Sequence, residues 1–540
     1  MIIQIGKVKK NKAMANKDNF KNYFYATTPI YYVNDKPHIG HAYSTVIADS
    51  ISRFKRLSGL KVFFLTGTDE HGLKIEKEAN ARGMSPKDLA DAVHVKFKEL
   101  FGLLSISYDR FIRTTDEDHI KTVQHVFSML MEKGDIYLSE YEGWYCTPCE
   151  TFLTEKSLIG GNCPQCGRPA SKVKEESYFL KLSKYEKRLV EYIENHPEFI
   201  KPPFRKNEVL SFIKEGLNDL SISRTSFSWG IPVPGNDKHI IYVWFDALLN
   251  YLSAIGFEEF QEGEKNDFNL FFKTANHIVG KDILKFHAVY WPIMLFALNL
   301  PLPKTIFAHG WWLMDNKKMS KSLGNVIDPV YLINNYGADA LRFYLLREVT
   351  LGLDGDFNMN NFITRYNSEL ANDLGNLVSR TTAMIQKYSG GFLPGLEVGI
   401  DEDLIKTVID ITANLNDRYD NYDFARILED TFKFINTVNK YINDSAPWKI
   451  NISEREDKEK LYKILRSAVI SIYYISYLIY PFMPDTSGRI NKILNIEAFM
   501  FLKFPVTPED IFDSHGVLFK DGHKINENRD ILFPKIVNKD

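Results

Sequence analysis

The sequence predicts an α/β protein: a doubly wound parallel sheet, interrupted by an inserted module and followed by an all-α bundle. Three observations carry that prediction. Near the start the chain runs strand, helix, strand within about fifty residues, the opening of a Rossmann-type sheet. The pattern stops near residue 115 and resumes near residue 236. From about residue 355 to about residue 500 the apolar residues fall at helical spacing, with isolated prolines and Gly-Asn turns.

The elements follow in order. "NYFYATTP" (22–29) alternates aromatic and small residues and ends at a proline, which reads as a strand. "YYVNDKP" is a loop. From His38 a helix is predicted, with Tyr43, Ile47, Ile51, Phe54 and Leu57 on its apolar face and Gly59 as its stop. "KVFFLTG" (61–67) has the unbroken apolar run of a buried parallel strand. "HIIYVWFDALLNYLSAIG" and "NHIVGKDILKFHAVYWP" each read as strand, loop, helix, and "TIFAHGWWLM" as a further strand. The division is therefore a tail at 1–20, two halves of the α/β domain at 21–115 and 236–315, an insertion at 116–235, a loop and linker at 316–360, a helical domain at 361–500, and an extension at 501–540 that shows no period.

The chain has 540 residues, which is too long for one core. It is 44% hydrophobic and 25% charged, an ordinary globular composition, and its net charge of −2 neither indicates nor excludes a nucleic-acid partner. The longest apolar stretches, at 288–303 and 469–484, fall short of the roughly 20 residues of a membrane span and contain prolines, so they read as buried helix. "MIIQIG" is too short for a secretory leader and its lysines follow it, so a cytoplasmic protein is expected, starting at Met1 or Met14.

All four cysteines lie in the insertion, as two C-x2-C pairs separated by thirteen residues: Cys146, Cys149, Cys163 and Cys166. Each pair sits in a Pro- or Gly-containing turn, and four thiolates complete a tetrahedral Zn2+ site. With no open coordination position, that zinc is structural. Two disulfides or a redox pair are the alternatives, which a cytosolic chain disfavours.

His38 and His41 stand at the predicted start of a helix, where unpaired N–H groups and the helix dipole attract anions. Gly40 between them lacks a side chain and lets a bulky group approach the backbone. On spacing alone, phosphate binding, a metal site and packing all stay open. Far downstream, "NKKMSKSLGN" (316–325) interleaves Lys317, Lys318 and Lys321 with hydroxyl residues before a Gly-Asn turn. Such a run is usually a solvated loop. Here it follows an α/β domain that already offers an anion site.

"HIGH" (38–41) followed by "KMSKS" (318–322) resembles the paired signatures of the class I aminoacyl-tRNA synthetases. "TTPIYYVN", "TGTDEHG", "YVWFDALLNY", "GKDILKFHAVYWP" and the cysteine pattern resemble the methionyl-tRNA synthetase family, over about residues 22 to 500. The resemblance implies a ligase that joins L-methionine to ATP as methionyl-adenylate, releases pyrophosphate, and passes methionine to tRNA(Met), initiator tRNA included. It implies Mg2+ travelling with ATP. His38, His41, Lys318 and Lys321 match the residues that bind and neutralise the triphosphate. Gly40, Gly280, Asp282, Trp312 and Ser320 match the rest of the ATP site, Asp282 near the ribose and the backbone at Trp312 near adenine.

For the methionine pocket the resemblance implies Asp69 opposite the substrate ammonium, Arg224 holding Asp69, and a wall of Ile30, Tyr32, Trp244, Ala247, Tyr251, Ile283 and His287 around the thioether. Tyr251 and His287 are also candidates to hydrogen-bond the sulfur. Leu248 departs from the pattern, since some family members carry proline there. In the helical domain Asn376, Arg380 and Trp448 match the family's anticodon-reading residues. Asn376 and Arg380, four apart, share a helix face, and Trp448 offers a ring to an unstacked base. A monomer without membrane contact is expected.

Synthetases for branched aliphatic amino acids fit less well, because a methylene is worth only about 1–3 kcal/mol and they need a large editing domain. The segment between the two signatures also holds half the sheet and leaves no room for one. A cysteine enzyme would place zinc at its amino-acid pocket. An RNA-binding protein with a decayed nucleotide fold would not need His38, His41, Lys318 and Lys321 together, and a nucleotidyltransferase acting on a small ester would have no use for Trp448. Metal analysis of the purified protein should find about one zinc per chain, as four thiolates require; a fully active, metal-free protein would contradict the knuckle.

Overall fold

A computed structural model of the chain describes residues 19–146, 151–153, 155–164, 167–263, 266–319, 326–496, 522–527 and 531–537. The α/β domain begins with β1 (Tyr23–Thr27), β2 (Tyr31–Tyr32), α1 (Ile39–Leu57), β3 (Lys61–Asp69), α2 (Leu73–Ala81), α3 (Pro86–Leu103), β4 (Arg110–Arg113) and α4 (Glu117–Glu132). The insertion carries β5 (Ile136–Cys146), β6 (Thr151–Leu153), β7 (Ser171–Leu180), β8 (Ile200–Lys201), β9 (Leu220–Ser221), β10 (Ser223–Arg224), β11 (Pro232–Val233) and β12 (Asn236–Ile241). Then come β13 (Ala275–Gly280), β14 (Thr305–His309), β15 (Trp312–Met314), β16 (Lys317–Lys318) and β17 (Gly355–Asp356).

The main sheet is parallel, ordered β2-β3-β1-β13-β14-β8, with β4 also on β3. Strands β1 and β13 are adjacent although about 250 residues apart in sequence, the switch point at which such sheets open a crevice beyond the strand C-termini. Buried side chains cover both faces. One core joins α1 and α3 to the helical domain, and the other joins α4, the insertion and the helix Trp291–Ala297. A parallel sheet covered on both faces explains why β3 reads as an unbroken apolar run.

Three sequence expectations are corrected. The insertion is not a separate appendage, because β8 within it forms the outermost strand of the main sheet, bonded to β14. β12 belongs to a small antiparallel sheet with β10 and β11 and not to the parallel sheet. Helical structure resumes at Pro329, well before residue 355, with the helices Pro329–Tyr336 and Ala338–Arg347. The C-terminal extension also packs: Ile525, Leu532 and Phe533 are buried, and Asn367 exchanges two hydrogen bonds with Ile536.

The helical domain meets α1 through a buried charge. Asp49, fully buried on α1, receives Arg342 Nη2 at 2.7 Å and Arg53 Nε at 2.7 Å. Its other oxygen accepts the backbone N–H of Ser107 at 2.7 Å and its hydroxyl at 2.6 Å. Burial pushes the carboxyl up, but the two guanidiniums and Ser107 outweigh it and hold Asp49 below its usual range. Arg342 also donates to the carbonyls of Leu104, Pro481 and Phe482, so one guanidinium ties α1, the end of α3 and the turn after Ile479 together. Arg342→Met should cost about 3–5 kcal/mol by stranding buried acceptors, read as a lowered urea midpoint; a change below about 1 kcal/mol would contradict this role.

Candidate active site

The crevice is built on the N-terminus of α1. His38 is the N-cap, with extended backbone. The Gly40 N–H donates to His38 Nδ1 at 3.1 Å, and the His38 N–H donates to His41 Nδ1 at 3.1 Å. Two histidines thus form a reciprocal capping box, a role usually given to hydroxyl and carboxyl side chains. The consequence is electronic. An Nδ1 that accepts from a backbone N–H carries no proton, so each neutral ring keeps its proton on Nε2. Each neutral imidazole therefore keeps a single N–H donor, at Nε2. The rings stack at 3.8 Å, and burial together with His38 holds His41 well below its usual range, so it stays neutral.

Gly40 acquires a different explanation from the one its sequence context suggests. A Cβ there would lie 2.9 Å from His38 Cε1, so glycine is needed to let the capping ring fold over the helix end. The space above Gly40 is taken by this chain's own histidine.

Facing strands complete the site. In β13, a Cβ on Gly280 would stand 2.5 Å from Asp282 Oδ1 and would displace that carboxylate. Asp282 accepts from Trp311 Nε1 at 3.3 Å, and Lys281 lies over the Trp311 ring at 4.2 Å while pairing with Asp354 at 2.6 Å. Trp312 points the other way: its ring is buried among Tyr43, Tyr344 and Phe357, so only its backbone faces a ligand role. β15 pairs with β16, which sets Lys318 opposite Leu313 across a turn whose Asp315 and Asn316 have positive φ. Ser320 and Lys321 lie outside the described residues. Lys36, in the loop before α1, pairs with Asp328 at 3.5 Å, joining the chain before His38 to the chain after the lysine signature.

The second pocket lies at the end of β3. Register places Tyr32 beside Asp69, which is buried. Ile30, Trp244 and Ile283 are partly buried against one core, and Ala247, Tyr251 and His287 are buried. Trp244 stacks on Phe286 at 3.7 Å. Tyr251 Oη lies 2.8 Å from His287 Nε2, and His287 Nδ1 lies 3.0 Å from the Ile283 carbonyl. Nδ1 must therefore carry the proton, and Nε2 accepts from Tyr251. Both groups spend their protons on protein acceptors, so neither has one for a thioether; the sequence-based role as sulfur donors is corrected to that of a rigid wall. Arg224 is buried, donates to Ser223 O at 2.7 Å and Ser221 Oγ at 2.9 Å, and sits 4.4 Å over the Tyr242 ring.

Sequence reasoning missed two buried ionic groups beside Asp69. Glu70 accepts both arms of Arg113, at 2.7 and 2.8 Å, and the hydroxyls of Thr68 and Thr115. His71 and His119 meet Asp246. The available signal was three consecutive ionisable residues at the end of an apolar strand and one aspartate inside "VWFDALL".

At the insertion's tip, Cys146 and Cys163 are buried in one small cluster with Leu153. The Gly167 N–H closes a turn onto Cys163 O at 2.8 Å with φ +70°. Cys149 and Cys166 lie outside the described residues. In the helical domain, Arg380 sits 5.7 Å from the half-exposed ring of Trp448 and donates to Asn443 at 2.8 Å, one helical turn from exposed Asn376. Among the described residues, no helix is long and apolar enough to cross a membrane.

The family model described as "tRNA synthetases class I (M)" matches residues 24–175 and 168–382. The chain belongs to the methionyl-tRNA synthetase family. It is 49% identical to the methionine–tRNA ligase of Clostridium perfringens over 96% of this chain and 78% of that one. It is 51% identical to that of Clostridium acetobutylicum over the same shares. The Mycobacterium tuberculosis methionyl-tRNA synthetase solved with methionyl-adenylate superposes with a TM-score of 0.87 at 38% identity, covering 95% of this chain and all of that one.

As a synthetase of this family, the chain should show an acid-sensitive pocket wall. Burial pushes His287 from 6.5 to about 4, against the opposing bond to Ile283 O. Between these values the unfolded chain binds the extra proton, so stability falls as pH drops through that window, by about 3 kcal/mol in all, with no contribution above it. In urea denaturation at several pH values, the gap between wild type and His287→Gln should narrow on acidification. A constant gap would contradict a neutral buried ring.

Proposed function

We infer that this chain is an ATP-dependent methionine–tRNA ligase that forms methionyl-adenylate and then methionyl-tRNA(Met), for initiation and elongation alike. The observation that carries this reading is the capping box of His38 and His41 at the sheet's switch point, in a chain whose relatives are methionine–tRNA ligases.

In the first step a methionine carboxylate oxygen attacks the α-phosphorus, and the bond to the bridging oxygen of pyrophosphate breaks. A carboxylate needs no general base, so the demand is alignment and charge neutralisation. Nε2–H of His38 and His41 donate to phosphate oxygens, and the α1 amides add their dipole. Lys318 and Lys321 neutralise the leaving pyrophosphate, assisted by Ser320. Mg2+ bound with the nucleotide supplies further positive charge at the triphosphate. Asp282 accepts from the ribose, with Gly280 and Gly40 giving it and His38 room, and the strand backbone at Trp312 borders adenine. In the second step a ribose hydroxyl of the tRNA's terminal adenosine attacks the acyl carbon, and AMP leaves.

Asp69 pairs with the methionine ammonium, and the buried guanidinium of Arg224 supports that end of the pocket. Ile30, Tyr32, Trp244, Ala247, Tyr251, Ile283 and His287 enclose the thioether, which suits polarizable rings. Cys146, Cys149, Cys163 and Cys166 would hold one zinc ion that stiffens the insertion's tip. Two of them in one buried cluster and the bond from the Gly167 N–H to Cys163 O support that fit. Asn376, Arg380 and Trp448 read the anticodon, a reading supported by the guanidinium lying against the exposed indole. The enzyme works as a cytoplasmic monomer.

Pyrophosphate exchange screened over the twenty amino acids tests the reading, and only L-methionine should give a strong signal. Trp448→Ala should leave that exchange nearly intact and lower tRNA charging by about tenfold or more, as loss of a base-stacking ring implies. Equal loss of both would remove the anticodon assignment.

A further inference from the structure

Asp246 is fully buried in the first turn of the helix Val243–Leu248. Its Oδ2 lies 2.7 Å from His71 Nδ1 and its Oδ1 lies 2.7 Å from His119 Nε2. His119 is itself fully buried on α4, with Ser253 Oγ 2.9 Å from its other nitrogen. His71 packs edge-on against Trp229 at 5.4 Å. Burial alone would raise the carboxyl, but the two imidazoles outweigh it, and Asp246 is held below its usual range. It is an ionised acceptor in a dry site, satisfied on both oxygens by charge-assisted bonds.

The positions of these groups matter more than their energy. His71 is two residues beyond Asp69, at the end of β3. Asp246 lies between Trp244 and Ala247 and one turn before Tyr251. The bond from His71 to Asp246 is therefore a strut between the ammonium end of the methionine pocket and its apolar wall. The bond from His119 braces that strut against α4.

We propose that Asp246 is a positioning residue for methionine recognition: its two hydrogen bonds set the span between Asp69 and the wall of Trp244, Ala247 and Tyr251, and so the length of side chain admitted. This rests on the reading of the site as a methionine pocket. Asp246 touches no substrate and acts through the elements it joins. Neighbouring Glu70 is held separately by Arg113, so the strut can be altered without releasing that group.

Methionine-dependent pyrophosphate exchange tests the proposal with L-methionine and L-ethionine, which is one methylene longer. Asp246→Asn keeps the shape but removes the charge and turns an NH2 toward one imidazole, which must then change tautomer to accept it, so both charge-assisted bonds are weakened. KM for methionine should rise about tenfold, with KM for ATP and kcat near wild type. The kcat/KM preference for methionine over ethionine should fall about fivefold, since one methylene is the margin at stake. His119→Gln, which retains a donor, should stay near wild type, whereas His119→Leu, which removes it, should follow Asp246→Asn. That pair carries the comparison if Asp246→Asn does not fold. An unchanged methionine KM and preference, or methionine and ATP KM rising together, or a fall in kcat alone, would overturn the proposal. Absence of methionine-dependent exchange in the wild type would overturn the functional reading instead.

Discussion

Helix α1 is the member on which the other parts converge. Its first turn binds itself through two histidine rings, and its middle carries a buried aspartate whose charge is answered by Arg342 from the later part of the chain. A buried carboxylate is tolerated only when every lone pair has a donor. Asp49 meets that condition with Arg53, Arg342 and Ser107. The same element that carries the two histidines at its N-terminus therefore fixes the helical domain along its length. Arg342 is satisfied in turn by three carbonyls from two other segments, so the junction tolerates little sliding.

The same economy recurs at the end of β3. Asp69 ends β3, and Glu70 and His71 follow it directly; all three are buried. Glu70 is locked to Arg113 and His71 to Asp246. Parallel strands gather such ends at one edge of the sheet, so the polar side chains of distant segments converge there while both faces remain apolar. The neutral, pre-assigned tautomers of His38, His41 and His287 serve the same purpose. In each ring a backbone partner at Nδ1 fixes which nitrogen carries the proton.

Some of this was legible in the sequence for plain reasons. The start of α1 at His38 followed from apolar spacing, and β3 from its unbroken apolar run. The residues that misled did so because their neighbours are remote in sequence. Gly40 owes its identity to the His38 ring folding back, a matter of rotamer. Tyr251 and His287 looked like donors to sulfur until each was seen to be spent on a protein acceptor. β8 could not be assigned to the main sheet because two residues carry no period, and only the pairing with β14 reveals it. The C-terminal segment has no apolar period because it packs by a few isolated side chains, Ile525, Leu532 and Phe533, onto helices already formed.

The sequence by itself determined the class of fold and the order of its main parts, since periodicity and residue type are local properties. Tertiary structure alone decided which proton sits on which histidine nitrogen, which carboxylates are spent on structure, and how the two domains are joined. Those outcomes depend on hydrogen bonds between residues far apart in the chain, such as His71 with Asp246 and Asp49 with Arg342. A buried polar group takes its role from the partner that satisfies it, and that partner is known only once the chain has closed around it.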